Sequence, residues 1–369
     1  MSRFLDILRS YQAYGLIAFV VTVFATPVAA RVAHRLGVMD VPDLTLKPHA
    51  RPTPYLGGTA ICLGWTVPLV VAMARRTVDW RLLLPVMLGG IAISLVGLLD
   101  DVRSISPKLR LALGTLITAA VLLSTGIGSE LVDTLLQPVG IHAPSVVVVP
   151  VSFIIAVFIV LGACNSANLI DGLDGLCTGV TGIISLGFFL LATHLAVWQY
   201  SGSGDPVRLV LAIAMFGAAM GFLPLNFNPA KIFMGDAGST LLGFNCGIMI
   251  VLFAEQGIFR WFLGGLMVFA LPITDTALAV VRRWRSGRSI FAGDRSHFYD
   301  QLVDRGLSVK RVVIISYSLA AFYALVGCVS IWLRTRYMLP LCVLVGAATL
   351  TVIAVAGMMR AEPPPGSDS

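Results

Sequence analysis

Three separate segments of the sequence carry acidic or amide side chains where a long apolar run begins or ends. The first contains the adjacent carboxylates Asp100 and Asp101 in LLDDVRS, and the third contains Asp236 in NFNPAKIFMGD. The second, NSANLIDGLDGL, repeats such side chains at a spacing of three residues: Asn165, Asn168, Asp171 and Asp174. Oxygen ligands of this kind suit Mg²⁺, which uses few carboxylates, keeps several waters and often bridges substrate phosphates. The segments therefore predict a Mg²⁺ site, with Mn²⁺ as an alternative ion.

The spacing in the second segment is also typical of a helix terminus. Residues three apart are neighbours on the surface of an α-helix, and Gly172 and Gly175 favour a broken or tightened helix end. Because Asn and Asp commonly cap helices, capping would explain one such segment by itself. Three acidic segments at the ends of apolar runs instead favour a shared site.

Basic side chains occur near these segments but in separate loops. Lys108 follows Asp101 by seven residues, and a basic stretch that begins at Arg282 includes Arg295 and His297. Arginine binds phosphate in a bidentate manner, whereas basic loops also set membrane topology. We interpret the start of the stretch as a topology signal, and Arg295 and His297 as ligands of a phosphorylated substrate.

The elements that must position these side chains are apolar. The chain is 57% hydrophobic and 12% charged, with a mean hydropathy of +0.90, and a bilayer span needs about 20 mostly apolar residues. Eleven segments qualify: 14–30, 56–74, 82–99, 109–125, 146–163, 177–198, 207–223, 239–254, 261–281, 312–333 and 338–359. They predict an all-α, polytopic integral membrane protein with about 11 transmembrane helices. Residues 1–360 would form one membrane domain, and the Pro/Gly/Ser-rich tail 361–369 would be disordered.

One acidic residue, Asp275, lies inside the segment 261–281. Ionisable residues within a membrane span are candidates for function by default. The alternative is that Asp275 pairs with a neighbouring helix.

Loop charges predict the orientation. With the N-terminus outside, the inner loops carry 17 of the 26 lysines and arginines, so the positive-inside rule favours an N-out, C-in topology. The acidic segments would then all face the cytoplasm. The net charge of +7 reflects this asymmetry between loops, and we expect no nucleic-acid partner.

These motifs resemble those of the polyprenyl-phosphate N-acetylhexosamine-1-phosphate transferases (glycosyltransferase family 4). DDVRS resembles the family's Asp-Asp motif, NSANLIDGLDGL its NxxNxxDGxDGL motif, and NFNPAKIFMGDAGS its NxxPAxxFMGDxGS motif. The stretch from Asp40 to Gly58, which includes Lys47, resembles the first cytoplasmic loop. The stretch LPITD…RR…GRSIFAGDRSH resembles the last.

The resemblance implies a reaction and a role for each motif residue. The enzyme would join a polyprenyl (undecaprenyl) phosphate to the sugar phosphate of a UDP-N-acetylhexosamine, with UDP-GlcNAc as the expected donor. The products would be a polyprenyl-diphospho-sugar and UMP. This reaction would be the first step in the synthesis of a cell-envelope glycan. The implied metal ligands are Asn168 and Asp236, and the implied catalytic residues are Asp100, Asp101, Asp171 and His297. The implied substrate ligands are Lys47, Lys108, Asn165, Asp174 and Arg295. The enzyme would lie in the inner membrane with its site in the cytoplasm, as a monomer or a homodimer.

The last loop departs from the family pattern. Bacterial members that use UDP-GlcNAc typically carry His-x-His-His there, whereas this chain has His297 followed by Phe298, Tyr299 and Asp300. The donor could therefore be another UDP-amino sugar, while the missing histidines disfavour the muramyl-pentapeptide donor. A secondary transporter is the alternative from a different class, but it predicts an internal repeat and polar groups at mid-membrane. No P-loop, HExxH, GxSxG or GxGxxG motif is present in the sequence, so nucleotide hydrolysis, zinc-protease, serine-hydrolase and dinucleotide chemistry lack support.

Overall fold

The computed structural model describes residues 2–40, 52–141, 143–198, 205–285, 287 and 297–358. Its α-helices are α1 Ser2–Leu36, α2 Gly57–Ala74, α3 Trp80–Arg103, α4 Pro107–Thr125, α5 Leu131–Leu136, α6 Ser145–Leu169, α7 Leu176–Trp198, α8 Asp205–Asn226, α9 Gly235–Ala254, α10 Phe259–Val268, α11 Ala270–Arg285, α12 Phe298–Asp304, α13 Val309–Ser330 and α14 Thr335–Val355. Two short strands, β1 Met39–Asp40 and β2 Thr53–Pro54, pair antiparallel, and a 3₁₀ turn spans Gln137–Val139.

The predicted all-α polytopic class is confirmed. Ten helices of the described chain are long and apolar enough to cross a membrane, and the bent pair α10–α11 makes up to eleven. The predicted span 261–281 is broken in the structure, because α10 and α11 meet at Phe269 with a bend of 73°. Pro272 explains the break: it has no N–H to continue the hydrogen bonds of α10, but it is tolerated in the first turn of a new helix.

Helix α9 forms the centre of the bundle. It is buried along its whole length and packs against α2, α3, α6, α8 and α10. Gly243 and Gly247 of α9 lie directly against the backbone of α6, the kind of close approach that small residues permit between membrane helices. Large apolar side chains of the outer helices, such as Phe24, Phe158 and Val355, are exposed as expected of a surface that faces lipid.

A short connection brings the end of α3 next to the start of α4. Ser104 adopts the left-handed conformation and ends α3, and its N–H bonds to the carbonyl of Asp100. Ser106 then caps α4 through the N–H of Leu109, with proline at the first helical position, as is common at helix N-termini. The last turn of α3 therefore faces the first turn of α4.

The other two acidic segments lie at the same end of the bundle. NSANLIDGLDGL covers the end of α6, the turn 170–175 and the start of α7. The loop 227–234 between α8 and α9 is held by backbone bonds to the segment before α2: the N–H of Phe233 donates to Pro54, and the N–H groups of Gly57 and Gly58 donate back to Phe233 and Met234.

The described residues end on the side of these segments and start on the other. In the first half of α1, the hydroxyl of Tyr14 contacts Thr77 in the connection between α2 and α3. At the far end of the sequence, the carbonyl of Met358 accepts hydrogen bonds from Arg282 of α11 and Gln301 of α12. This arrangement agrees with an odd number of crossings. The predicted disordered tail 361–369 lies outside the described residues.

Candidate active site

Asp101 binds the beginning of α9. Its two carboxylate oxygens accept the backbone N–H groups of Asp236 at 2.8 Å and Ala237 at 3.1 Å. The first N–H groups of a helix have no partner within the helix, so this carboxylate from α3 acts as a cap supplied by another element. Gly235 makes the contact possible, because a Cβ there would lie 2.5 Å from an oxygen of Asp101.

Asp100, the neighbouring carboxylate, belongs to an ion-pair cluster instead. The guanidinium of Arg110, through Nη1, donates to Asp100 at 2.8 Å and also to Asp236. One positive charge therefore lies between two carboxylates from α3 and α9. Arg110 was not among the predicted site residues, although the Ser106–Pro107 helix start predicts that α4 turns back beside Asp100.

Asn168, at the end of α6, completes this cluster. Its amide group donates to Asp236 at 2.7 Å and to the hydroxyl of Ser239 at 3.1 Å. The two residues predicted to bind metal, Asn168 and Asp236, are thus in direct contact although 68 positions separate them in the sequence.

The donor set of this cluster fits Mg²⁺. Two carboxylates and an amide converge, and the guanidinium of Arg110 already places a cation between Asp100 and Asp236. Within the described ranges, no three His, Cys, Asp or Glu side chains meet as metal ligands. Mg²⁺ often uses only one or two protein carboxylates and completes its octahedral shell with water and substrate phosphate.

The acidic turn, residues 170–175, carries two further carboxylates. Asp174 accepts hydrogen bonds from the side chain of Asn228 at 2.9 Å and from the N–H of Ala230 at 3.0 Å, and so ties the turn to the loop before α9. Burial, followed by the charges of Asp236 and Asp101, raises the pKa of Asp171 well above its ordinary value. Carboxylates with raised pKa values cluster at functional sites, so Asp171 stays a candidate site residue.

A polar cavity of about 590 Å³ opens beside this cluster, lined among others by Asp40, Tyr55, Asp100, Asp101 and Asp236. Tyr55 was not among the predicted site residues, although it lies in the PTPYLGG stretch that resembles the family's first loop. Burial, then the charge of Asp101 and of other carboxylates, raises the pKa of the Tyr55 hydroxyl. The hydroxyl therefore stays protonated and can donate a hydrogen bond into the cavity.

His297 and Asp275 form a buried pair at the base of the last loop. The Nδ1 atom of His297 lies 2.7 Å from one oxygen of Asp275, and the N–H of Phe298 donates to the other oxygen at 3.1 Å. Both side chains are buried, with 3% and 2% exposure. Asp275 therefore fixes His297 and Phe298, the residues that lead from the last loop into α12. This contact agrees with Asp275 as a packing partner and equally with a functional role for it.

The remaining predicted ligands are at the surface or beyond the description. Lys108 is exposed in the first turn of α4, and Asn165 donates to the carbonyl of Leu161 on an exposed face of α6. Neither joins the carboxylate cluster in this structure. Lys47 and Arg295 lie outside the described residues, and their predicted contacts with substrate stay predictions.

Comparison with known proteins gives one consistent class. Residues 83–254 match the sequence profile of glycosyl transferase family 4. A decaprenyl-phosphate N-acetylglucosaminephosphotransferase of Mycobacterium tuberculosis is 32% identical over 93% of this chain and 89% of the relative. A probable undecaprenyl-phosphate N-acetylglucosaminyl 1-phosphate transferase of Bacillus subtilis is 31% identical over 86% of each chain. A phospho-N-acetylmuramoyl-pentapeptide-transferase of Moorella thermoacetica is 31% identical over 74% of this chain and 83% of the relative.

The fold and the carboxylate cluster describe a multi-pass membrane enzyme with its polar groups gathered at one end of the bundle. The chain belongs to glycosyl transferase family 4, and it is a transferase.

Proposed function

We propose that the protein transfers N-acetylglucosamine 1-phosphate from UDP-GlcNAc to a polyprenyl phosphate and releases UMP. In the net reaction, an oxygen of the lipid phosphate becomes bonded to the phosphorus that carries the sugar. The bond from this phosphorus to the phosphate oxygen of UMP breaks. The product, a polyprenyl-diphospho-sugar, would start a cell-envelope glycan.

The observation that carries this proposal is the convergence of Asp100, Asp236 and Asn168 around the cation of Arg110. Joining two phosphate groups brings negative charges together, so the enzyme needs fixed positive charge and oriented donors more than covalent chemistry. In this cluster, the carboxylates can bind a metal ion and the guanidinium of Arg110 can bind phosphate oxygens. The cluster therefore suits a site for a diphosphate and its metal ion.

These side chains have different roles in this proposal. Asp100, whose carboxylate borders the cavity, orients the lipid phosphate or accepts its proton, while Asp101 keeps α9 in place. Asn168 and Asp236 would hold Mg²⁺, which when bound neutralises charge on the diphosphate. Arg110 can move from the carboxylates to the phosphate oxygens as the substrates enter.

The relatives support the two substrates. Their names specify decaprenyl or undecaprenyl phosphate as the lipid and N-acetylglucosamine as the sugar, and a lipid acceptor agrees with a cavity at the end of membrane helices. The excess of lysine and arginine on the same side as the acidic segments supports a plasma-membrane enzyme whose site faces the cytoplasm.

The proposal is tested by UMP release from purified protein with UDP-GlcNAc, undecaprenyl phosphate and Mg²⁺. We expect turnover that chelation abolishes and Mg²⁺ restores. Asp100→Asn and Asp236→Asn should each lower turnover by about 100-fold or more, a typical loss when a charged catalytic group is removed, while both proteins still insert into membranes. Asp101→Asn should instead lower thermal stability, because an amide cannot accept two backbone N–H groups as a carboxylate does.

A panel of donors separates this proposal from its nearest alternatives. UDP-GalNAc and UDP-MurNAc-pentapeptide, tested under the same conditions, should be used more slowly than UDP-GlcNAc. UMP release with none of the three donors would contradict a transferase of this kind, and full activity of Asp236→Asn would contradict the site.

A further inference from the structure

Two tyrosine hydroxyls hold the acidic turn 170–175 from its two ends. The hydroxyl of Tyr299, in α12, donates to the carbonyl of Leu169 at 2.7 Å, and the hydroxyl of Tyr317, in α13, donates to the carbonyl of Gly175 at 2.6 Å. The last carbonyls of a helix lack partners within the helix, so Tyr299 satisfies one where α6 ends. Both contacts come from the part of the chain that follows the last loop.

Tyr299 packs against the turn as closely as atoms allow. A Cβ built on Gly172 would lie 2.3 Å from the Tyr299 hydroxyl and 2.6 Å from its ring, so only glycine leaves room for the ring at this place. Burial, and then the charges of Asp300 and Asp275, raise the pKa of the hydroxyl. The hydroxyl therefore stays protonated near neutral pH and can donate its hydrogen bond to Leu169.

The same ring also contacts the last loop. It is nearly parallel to the imidazole of His297, with 5.4 Å between ring centroids and 5° between the planes, and His297 is fixed by Asp275. A continuous series of contacts thus runs from Asp275 in α11 through His297 and Tyr299 to the acidic turn.

We propose that Tyr299 is a positioning residue that sets the place of the acidic turn relative to the carboxylate cluster at the start of α9. The turn carries Asp171 and Asp174 and directly follows Asn168, whose amide contacts Asp236. Without this hydroxyl, the end of α6 frays. Asn168 and Asp174 then both shift relative to the carboxylate cluster. Because small displacements of positioned groups strongly reduce catalysis, the effect on kcat/KM exceeds the effect on stability. The inference rests on the proposed function only for its kinetic readout.

The test uses Tyr299→Phe, which removes one oxygen atom and keeps the ring. The matched control is Tyr323→Phe, because Tyr323 is also buried and its hydroxyl bonds to Thr349 between α13 and α14. We expect Tyr299→Phe to raise the KM for UDP-GlcNAc and lower kcat/KM by about 10-fold, while the KM for the lipid phosphate changes less than about twofold. Hydrogen exchange of amides in residues 169–176 should become faster in Tyr299→Phe and stay unchanged in Tyr323→Phe.

A second variant tests the contact from the other side. Gly172→Ala should displace the Tyr299 ring and reproduce both effects, whereas Gly162→Ala, where a Cβ meets no atom within 4 Å, should behave as the wild type. Exchange rates report on the turn without any substrate, so they test Tyr299 even if the wild type releases no UMP, which would contradict only the proposed function. Unchanged exchange and kinetics in both Tyr299→Phe and Gly172→Ala would overturn the inference.

Discussion

At the start of α9, two carboxylates that are adjacent in the sequence meet different partners. Both oxygens of Asp101 accept backbone N–H groups of α9, whereas Asp100 pairs with Arg110 beside the cavity. Consecutive residues of a helix point about 100° apart, so one side chain can face α9 while the next faces α4. The Asp-Asp pair therefore combines a cap for α9 with a carboxylate that is paired to Arg110 and borders the cavity.

Removal of the Arg110 guanidinium should reduce catalysis. Arg110→Ala leaves Asp100 and Asp236 facing each other without a cation, and we expect kcat/KM for UMP release to fall about 100-fold, with partial recovery in Arg110→Lys. Removal of one charged group that stabilises a transition state typically has an effect of this size. Arg103→Ala is the control, since Arg103 is exposed at the end of α3. Equal activity of Arg110→Ala and Arg103→Ala would show that the cation has no part in the reaction.

Among the elements, α3 and α9 determine the geometry of the cluster by their close approach. A Cβ on Gly97 of α3 would lie 2.5 Å from the backbone carbon and oxygen of Asp236. Ser94, one turn earlier, donates to the carbonyl of Ala237 at 3.0 Å. Backbone atoms cannot rotate away as a side chain can, so the separation of these two helices depends directly on the residue at position 97.

Gly97→Ala should therefore reduce activity through the helix pair. We expect the added methyl group to push α3 from α9, to lower turnover by more than about 10-fold, and to cost about 1–3 kcal/mol of stability, as overpacking usually does. Gly162→Ala, in open space on α6, serves as the control for glycine replacement. Thermal unfolding in detergent and UMP release measure the two effects, and wild-type values for Gly97→Ala would contradict this packing argument.

The elements also show what the sequence could and could not predict. Runs of apolar residues predicted the spans closely, because the length of a membrane helix is set by the thickness of the bilayer. The bend between α10 and α11 was missed, since apolar character continues across Phe269 while the backbone direction changes. Pro272 was the available signal, but proline within a membrane helix is often tolerated.

At the scale of the whole molecule, polar contacts also connect the loops at the end of the bundle opposite the candidate site. Glu255, just after α9, accepts the N–H of Gly128 at 2.7 Å and so fixes the connection that leads to α5. Burial raises the pKa of Glu255 above its ordinary value of 4.5, and the bond from Gly128 only partly opposes this shift.

This shift predicts how stability depends on pH. Because the folded state favours the protonated form of Glu255, it binds more protons than the unfolded state above pH 4.5, and stability falls as the pH rises through the raised pKa. Glu255→Gln keeps an acceptor for Gly128 and does not titrate. The midpoint of thermal unfolding should therefore fall less with pH in the variant than in the wild type between pH 5 and 8. Parallel curves for the two proteins would contradict the prediction.

The candidate site was partly predictable because its residues occur in motifs at the ends of apolar runs. Asn168, Asp236 and Asp100 indeed lie together. Arg110 and Tyr55 were missed although each had a local signal: the Ser106–Pro107 helix start turns α4 back beside Asp100, and Tyr55 lies in PTPYLGG. Neither signal identifies which side chain of its segment reaches the carboxylates or the cavity. Lys108 illustrates the opposite case: it is close to Asp101 in the sequence but exposed in the structure.

The ion pairs of Arg110 have one more consequence. A protein that supplies its own counter-ion can bring acidic helix ends together while it folds, before any metal ion arrives. If Mg²⁺ binds here as proposed, the guanidinium would compete with it for Asp100 and Asp236 and so weaken its apparent affinity. Loss of metal would then be reversible, with the guanidinium returning to its place and the bundle remaining intact.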